Sequence, residues 1–243
     1  RARSVNNQQN IIIDEVEFRF GKREHNFFNS DHTVVQFQKM LGYLRANYPP
    51  IDSINTQETS LALDIIVENS DIVEMDGLRV TVNGPDDFNS YCKQNNLNEL
   101  HNTRFERKKR ISNINVKDYS FLRLSASTET NMYVPEDNTV AGISIAEINN
   151  MLNSMQYQKY YRLKKRYSFY VTIDNNSDYQ VRADMTDVRQ GRGYSLKNSK
   201  VKETKPRYEI EIEFLGKVDT QRPSSLINNN DLIQFLGEFV AAY

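Results

Sequence analysis

Two short stretches near opposite ends of the chain carry charged side chains at every second position. One is Glu15-Val16-Glu17-Phe18-Arg19-Phe20; the other is Tyr208-Glu209-Ile210-Glu211-Ile212-Glu213-Phe214. Successive side chains of a strand point to opposite faces, so Glu15, Glu17 and Arg19 share one face, as do Glu209, Glu211 and Glu213. Ile210, Ile212 and Phe214 point the other way. Taken alone, either stretch reads as the solvated side of a half-buried sheet. The segments between them change that reading, because their polar faces are rich in cations. Arg162, Lys164 and Arg166 form one such face, and Arg182, Asp184 and Thr186 another. Arg123, Ser125, Ser127 and Glu129 share a third; Glu106, Lys108, Arg110 and Ser112 a fourth; Arg79, Thr81 and Asn83 a fifth.

Like charges directly across a strand pair repel, so a solvated sheet normally mixes its signs. Here the signs are sorted by strand. Sorting of this kind points to charged faces lining a central cavity, with the apolar faces packed outward against helices. A barrel of about eight strands or more is wide enough to hold a small ligand. Glutamates converging from adjacent strands offer oxygen ligands to a hard divalent ion, Mg²⁺ or Mn²⁺. Arginine and lysine opposite them hold phosphate oxygens, arginine in bidentate fashion. A metal bridged to a polyphosphate and ringed by cations is a phosphohydrolase site, acting through charge neutralisation and a positioned water.

The elements that must position these residues read as strands with a few inserted helices. A loose leader over 1–9 precedes a strand over 11–20. Ser30 and Asp31 are expected to cap a helix carrying Val34, Phe37, Met40, Leu41 and Leu44 at helical spacing, ended by Pro49-Pro50. Strands follow over 61–67 and 78–83, and Gly84-Pro85-Asp86-Asp87 opens a second helix. A hairpin is expected from 105–112 and 119–129. Ser144 and Glu147 form a capping box for a helix with Ile148, Met151 and Leu152. Strands over 160–172, 179–188 and 208–214 and a helix over 231–243 complete the chain. The fold class is α+β: one closed antiparallel β-barrel with a charged interior and helices outside, spanning 10–223. The segment 224–243 either packs on the barrel or leads to a further domain.

Composition limits the function classes. With 31 basic and 32 acidic residues, binding of a polyanion must come from local segregation of charge rather than overall balance. Cys92 is the only cysteine, which excludes an internal disulfide and fits a reducing compartment. No apolar run approaches the ~18 residues of a membrane span, and the start has no signal-peptide pattern. The expectation is a soluble, cytoplasmic protein with no membrane partner. The opening Arg-Ala-Arg-Ser, without methionine, reads as an excised domain. Gly191-Arg192-Gly193 reads as a loop lacking phosphate-loop spacing. His25, His32 and His101 lack metal-ligand spacing, and Cys92 reads as a buried apolar residue on a helix.

Glu15-Val16-Glu17-Phe18-Arg19-Phe20 resembles the first glutamate motif of the triphosphate tunnel metalloenzymes, and Glu209-Ile210-Glu211-Ile212-Glu213 resembles their last. Within that family the chain is most similar to the metal-dependent RNA 5′-triphosphatases of fungal and large-DNA-virus mRNA capping enzymes. The resemblance implies removal of the γ-phosphate from triphosphate-ended RNA, leaving a 5′-diphosphate end, with NTPs as further substrates. It implies Glu15, Glu17, Glu211 and Glu213 around Mg²⁺ or Mn²⁺, with Glu209 assisting. It implies Arg79, Lys108, Lys164, Arg166 and Arg182 on the triphosphate, Asp184 holding those cations, and Glu129 orienting the attacking water. Arg19 would complete the first motif, and Arg110, Arg123 and Arg162 are further inward candidates. A guanylyltransferase domain in the same full-length chain would take the diphosphate end. Polyphosphatases, thiamine triphosphatases and adenylyl cyclases share the fold but usually end the first motif in lysine, where this chain has Arg19. A barrel that binds nucleotide or RNA without hydrolysis is the remaining alternative.

Overall fold

The computed structural model describes residues 15–25, 27–48, 57–68, 75–116, 119–134, 136–172, 180–214 and 230–243. In chain order the elements are β1 (Glu15–Phe20), a small hairpin of β2 (Lys22–Glu24) and β3 (Phe27–Asn29), α1 (Val34–Asn47), β4 (Gln57–Val67), β5 (Leu78–Asn83) and α2 (Pro85–Gln94). Then come β6 (Thr103–Asn115), β7 (Leu122–Asn131), the two-residue strands β8 (Tyr133–Val134), β9 (Thr139–Val140) and β10 (Ile143–Ser144), and α3 (Ile145–Asn153). The chain continues with β11 (Lys159–Thr172), β12 (Gln180–Gly193), α4 (Leu196–Ser199), β13 (Arg207–Phe214) and α5 (Asn230–Ala242).

Eight strands close into a barrel in the order β1-β13-β12-β11-β4-β5-β6-β7. Every neighbouring pair is antiparallel. The first and last barrel strands meet, with Glu17 opposite Glu213 and Arg19 opposite Glu211. Strict alternation turns the apolar faces outward, where they form two clusters under the helices. Phe20, Ile210, Ile212, Phe169 and Met185 pack with Phe37, Met40 and Leu44 of α1 and with Phe235 and Phe239 of α5. Leu63, Ile65, Val80, Val82 and Tyr161 pack with Phe88 and Tyr91 of α2 and Ile148 and Leu152 of α3. Each such fully buried side chain contributes about 1.5–3 kcal/mol, so the barrel is held mainly from outside.

Several expectations are corrected. Ser30 and Asp31 do not cap α1. Asp31 Oδ1 instead accepts the Tyr208 backbone N–H at 3.1 Å, and His32 bridges to the same edge of β13. The helix starts after Thr33, whose capping box with Gln36 is complete, and Val34 is exposed rather than buried. Ser112 does not share the face of Lys108 and Arg110. A bulge at Ile111 leaves one residue unpaired, so Arg110 opposes Ser127 but Ser112 opposes Ala126, and the faces exchange beyond it. Gly191-Arg192-Gly193 is not a loop, because β12 runs on to Gly193 against Lys159. Its glycines serve a close approach: a Cβ on Gly191 would lie 2.3 Å from the Ser199 carbonyl oxygen, and one on Gly193 2.6 Å from the Ser199 nitrogen, where α4 crosses. Cys92 is half-buried at the edge of the second cluster. The capping box of α3 and the proline opening α2 are as expected. The leader over 1–9, Pro49-Pro50 and the domain limit near 223 lie outside the described residues.

Candidate active site

Register decides which side chains meet inside. Glu17 lies between Glu213 on β13 and Ser125 on β7, and Glu211 lies between Arg19 and Asp184. Arg162 opposes Asp64, and Lys108 opposes Glu129. Following these pairs round the wall turns every sequence-selected residue into the lumen: Glu15, Glu17, Arg19, Arg79, Lys108, Arg110, Arg123, Glu129, Arg162, Lys164, Arg166, Arg182, Asp184, Glu209, Glu211 and Glu213.

The charges pair across strands. Arg19 Nε lies 2.7 Å from Glu17 Oε1 and 3.2 Å from Glu211 Oε1, so one guanidinium bridges the two acidic motifs. Lys108 Nζ donates to Glu15 Oε2, which also accepts from Ser127 Oγ at 2.8 Å, and lies 3.5 Å from Glu129. Arg182 donates to Glu213 and, through Nε at 3.0 Å, to Asp184 Oδ2. Arg166 Nη1 stands 3.2 Å from the same Asp184 oxygen. Glu209 takes Arg162 Nη2 on both oxygens, at 3.0 and 2.9 Å.

This pairing does not satisfy the acids equally. Burial and the neighbouring Glu211 push the Glu17 carboxyl above its ordinary value despite Arg19. Burial, with Glu15 and Asp184 nearby, pushes Glu213 up to about 7 in spite of Arg182. Burial acts the same way on Glu15 and Glu211, but Lys108 outweighs it at the first, and Arg19, Arg166 and Arg162 outweigh it at the second, so both fall. The acidic corner is therefore short of positive charge at Glu17 and Glu213, which face each other directly. Among the described residues no three carboxylates are yet drawn together as a finished metal site, since each is turned to a cation. The donor set fits a hard divalent ion all the same: four carboxylates on two adjacent strands, two of them disfavouring their charged form.

The cationic wall is short of anions in turn. Arg79 Nε and Arg162 Nε are buried without a hydrogen-bond partner among the described residues. A buried donor without an acceptor costs about 1–3 kcal/mol, so these atoms fit a bound anion. Lys164, on the same wall, is pushed down to about 8 by burial, with Arg166 and Arg162 acting in the same direction and Asp64 against it.

No protein-family model matches the sequence, and no curated protein matches it. Solved structures do. A mimivirus capping enzyme triphosphatase superposes with a TM-score of 0.53 at 18% identity, covering 90% of this chain and 89% of that one. A second mimivirus structure, described as the RNA triphosphatase domain of a trifunctional mRNA capping enzyme, gives 0.51 at 20% identity over 90% and 89%. The S. pombe Pct1 RNA triphosphatase gives 0.51 at 17% identity over 93% of this chain and 82% of its own. The fold is the triphosphate tunnel.

The tunnel also holds residues that sequence reasoning passed over. Asp64 is wholly buried; its Oδ2 lies 2.7 Å from Lys164 Nζ and its Oδ1 accepts from Thr81 Oγ1 at 3.0 Å. Burial alone would raise this carboxyl, but Lys164, Arg79 and Arg162 around it bring it below its ordinary value. Ser168 Oγ donates to Asp184 Oδ1 at 2.7 Å and so orients it toward Arg166 and Arg182. Ser125 and Ser127 are buried beside Glu17 and Glu15. The usable signal for Asp64 was its parity, opposite to Leu61, Leu63, Ile65 and Val67 on one strand.

Proposed function

We propose that the protein is a metal-dependent RNA 5′-triphosphatase, removing the γ-phosphate of triphosphate-ended RNA in the first step of mRNA capping. The observation carrying this reading is the opposition of Glu17 and Glu213 across the first and last strands, in a tunnel that also holds Arg79, Lys108, Arg162, Lys164, Arg166 and Arg182. Likeness of the fold to viral and fungal RNA triphosphatases supports it. Glu15, Glu17, Glu211 and Glu213 would hold Mg²⁺ or Mn²⁺, an ion that when bound neutralises phosphate charge and polarises a phosphoryl oxygen.

The chain's own residues supply the rest. Lys164, Arg166 and Arg182 take the non-bridging phosphate oxygens, with Arg79 and Arg162 presenting their unpartnered nitrogens to the same anion. Asp184, held by Ser168, fixes Arg166 and Arg182 before substrate arrives. Asp64 does the same for Lys164. Glu129, close to Lys108 at 3.5 Å and Arg79 at 3.9 Å, orients the attacking water at the γ-phosphorus. NTPs present the same triphosphate and serve as further substrates. The diphosphate end passes to a guanylyltransferase domain of the same full-length chain, a reading supported by the description of one mimivirus neighbour as a trifunctional mRNA capping enzyme. Among the described residues no helix is long and apolar enough to cross a membrane.

Phosphate release from triphosphate-ended RNA, ATP and tripolyphosphate, each with Mg²⁺ or Mn²⁺, tests this reading. The expected result is ion-dependent release that Glu17→Ala and Glu213→Ala lower about 10²–10³-fold. Release without added ion, or unaffected by both substitutions, overturns it. Release from tripolyphosphate alone moves the assignment to the polyphosphatases of this fold.

A further inference from the structure

Neighbouring strands alternate in direction, so one rim of the tunnel carries the start of β1 and the end of β7, and the other carries the end of β1 and the start of β7. Charge is not shared equally between the two ends. Glu15, Glu106, Glu129 and Glu213 lie on the half nearer the first rim together with Arg104 and Arg182, whereas Arg19, Arg110, Arg123 and Arg162 lie on the half nearer the second together with Glu209. Acids outnumber cations at the first rim and cations outnumber acids at the second, so a polyanion larger than a triphosphate is favoured at the second.

At the second rim most cations are already engaged. Arg162 is held by Glu209, Arg192 by Glu68, and Arg19 by Glu17 and Glu211. Arg110 and Arg123 form no ion pair among the described residues. Arg123 is nevertheless fixed in place. Its Nε donates to Asn115 Oδ1 at 3.0 Å, and its guanidinium lies 4.4 Å from the centroid of the Phe28 ring. Burial, and then the like charges of Arg110 and Arg19, push this guanidinium down from its ordinary value, as expected of a cation short of anions. Two details of the backbone hold the platform. Gly21 donates its N–H to the Phe121 carbonyl at 2.9 Å, and a Cβ there would lie 2.2 Å from the Asn29 carbonyl oxygen and 2.8 Å from the Phe28 ring. The β2–β3 hairpin can therefore fold against the rim only over a glycine. The bulge at Ile111 turns Asn115 inward to meet Arg123.

We propose that this corner, built by the β2–β3 hairpin, the end of β6 and the start of β7, is the subsite for the first nucleotides of a single-stranded RNA whose triphosphate lies in the tunnel. Arg123 and Arg110 take phosphodiester oxygens with the terminal nitrogens they hold free of ion pairs. The stacked Arg123–Phe28 pair offers a flat face to a base, an arrangement that tolerates any base because each has a π surface. The proposal rests on the triphosphatase reading and adds to it the means of preferring an RNA end over a free polyphosphate.

The test compares kcat/KM for a short triphosphate-ended RNA with that for inorganic tripolyphosphate, in the wild type and in Arg123→Gln and Phe28→Ala. The expected result is a wild-type preference for RNA that each variant reduces about tenfold, mainly through KM and with a weaker salt dependence for Arg123→Gln. Arg123→Gln changes a partly exposed side chain, so its reading stands even where Phe28→Ala disturbs the hairpin. Equal losses on both substrates with Arg123→Gln, or an unchanged ratio in both variants, overturn the subsite and leave the triphosphatase reading standing. Release from none of the substrates by the wild type overturns both.

Discussion

Inside the tunnel, Glu17, Asp64, Glu211 and Asp184 are buried charges whose neighbours are other charges; outside the wall, Leu44, Leu63, Ile65 and Ile210 are as deeply buried among hydrocarbon. In the outer clusters burial is itself the source of stability, because each apolar group removed from water is a gain. In the tunnel burial is a cost that ion pairs only partly offset. Glu17 and Glu213 stay pushed toward their neutral forms, and Arg79 Nε and Arg162 Nε stay without partners. The difference identifies the interior as a place held ready for charge from outside, and the exterior as what makes that possible.

Glu17→Ala and Glu213→Ala sharpen this contrast most. Phosphate release is expected to fall about 10²–10³-fold, the scale seen when a group stabilising developing charge is lost. The melting temperature should hold or rise, since each removes a carboxylate that burial disfavours. Asp64→Asn is the change aimed at breaking the contrast. It leaves the Lys164 ammonium buried without its carboxylate, and unpairing one member of a buried pair costs about 3–5 kcal/mol. Denaturant unfolding should show that loss, and the double variant Asp64→Asn/Lys164→Met should recover much of it in a mutant cycle. Leu44→Ala should cost about 2–5 kcal/mol in the same measurement while kcat per folded molecule is kept.

A smaller effect concerns pH. The groups facing Lys164 are Asp64 on β4 and its neighbours Arg162 and Arg166 on β11. Unfolded, Lys164 holds its proton to its ordinary value of 10.5; folded, it releases it near 8. Between those values the unfolded chain binds more protons, so this residue makes stability rise with pH from about 8 to 10.5. Under the proposed function activity moves the other way, because Lys164 would hold the triphosphate through its ammonium. The alkaline fall of kcat/KM should therefore begin near pH 8 and shift upward in Lys164→Arg. Smallest of all, Thr33→Ala removes the α1 cap on the outer side and should lower stability by about 1 kcal/mol without touching turnover.

Legibility followed the regularity of each strand. On β1, β11 and β13 unbroken alternation assigns every side chain to a face, and the sorting of signs on those faces gives the polar barrel. On β6 the same reasoning held to Arg110 and failed at Ser112, because the unpaired Ile111 exchanges the faces and a bulge has no hydropathy signature. Asp64 stood alone in an apolar strand; its weight comes from Lys164, Arg79 and Arg162, which only the closed wall brings beside it. Gly191 and Gly193 resembled a flexible loop, since a glycine kept for a crossing helix and one kept for mobility look the same in sequence. Phe28 sits on a three-residue strand, too short to show any period.

β1 has two neighbours in the wall, β7 on one side and β13 on the other. The first can pair with it as soon as the middle of the chain has been made; the second arrives only with the last of the barrel strands. Glu15 and Glu17 therefore spend most of synthesis with one flank open, waiting for Glu211 and Glu213. Pairings so distant in sequence are the slow ones to form. Assembling the four acids therefore waits on the pairing of β1 with β13, the contact between the first and last strands of the barrel.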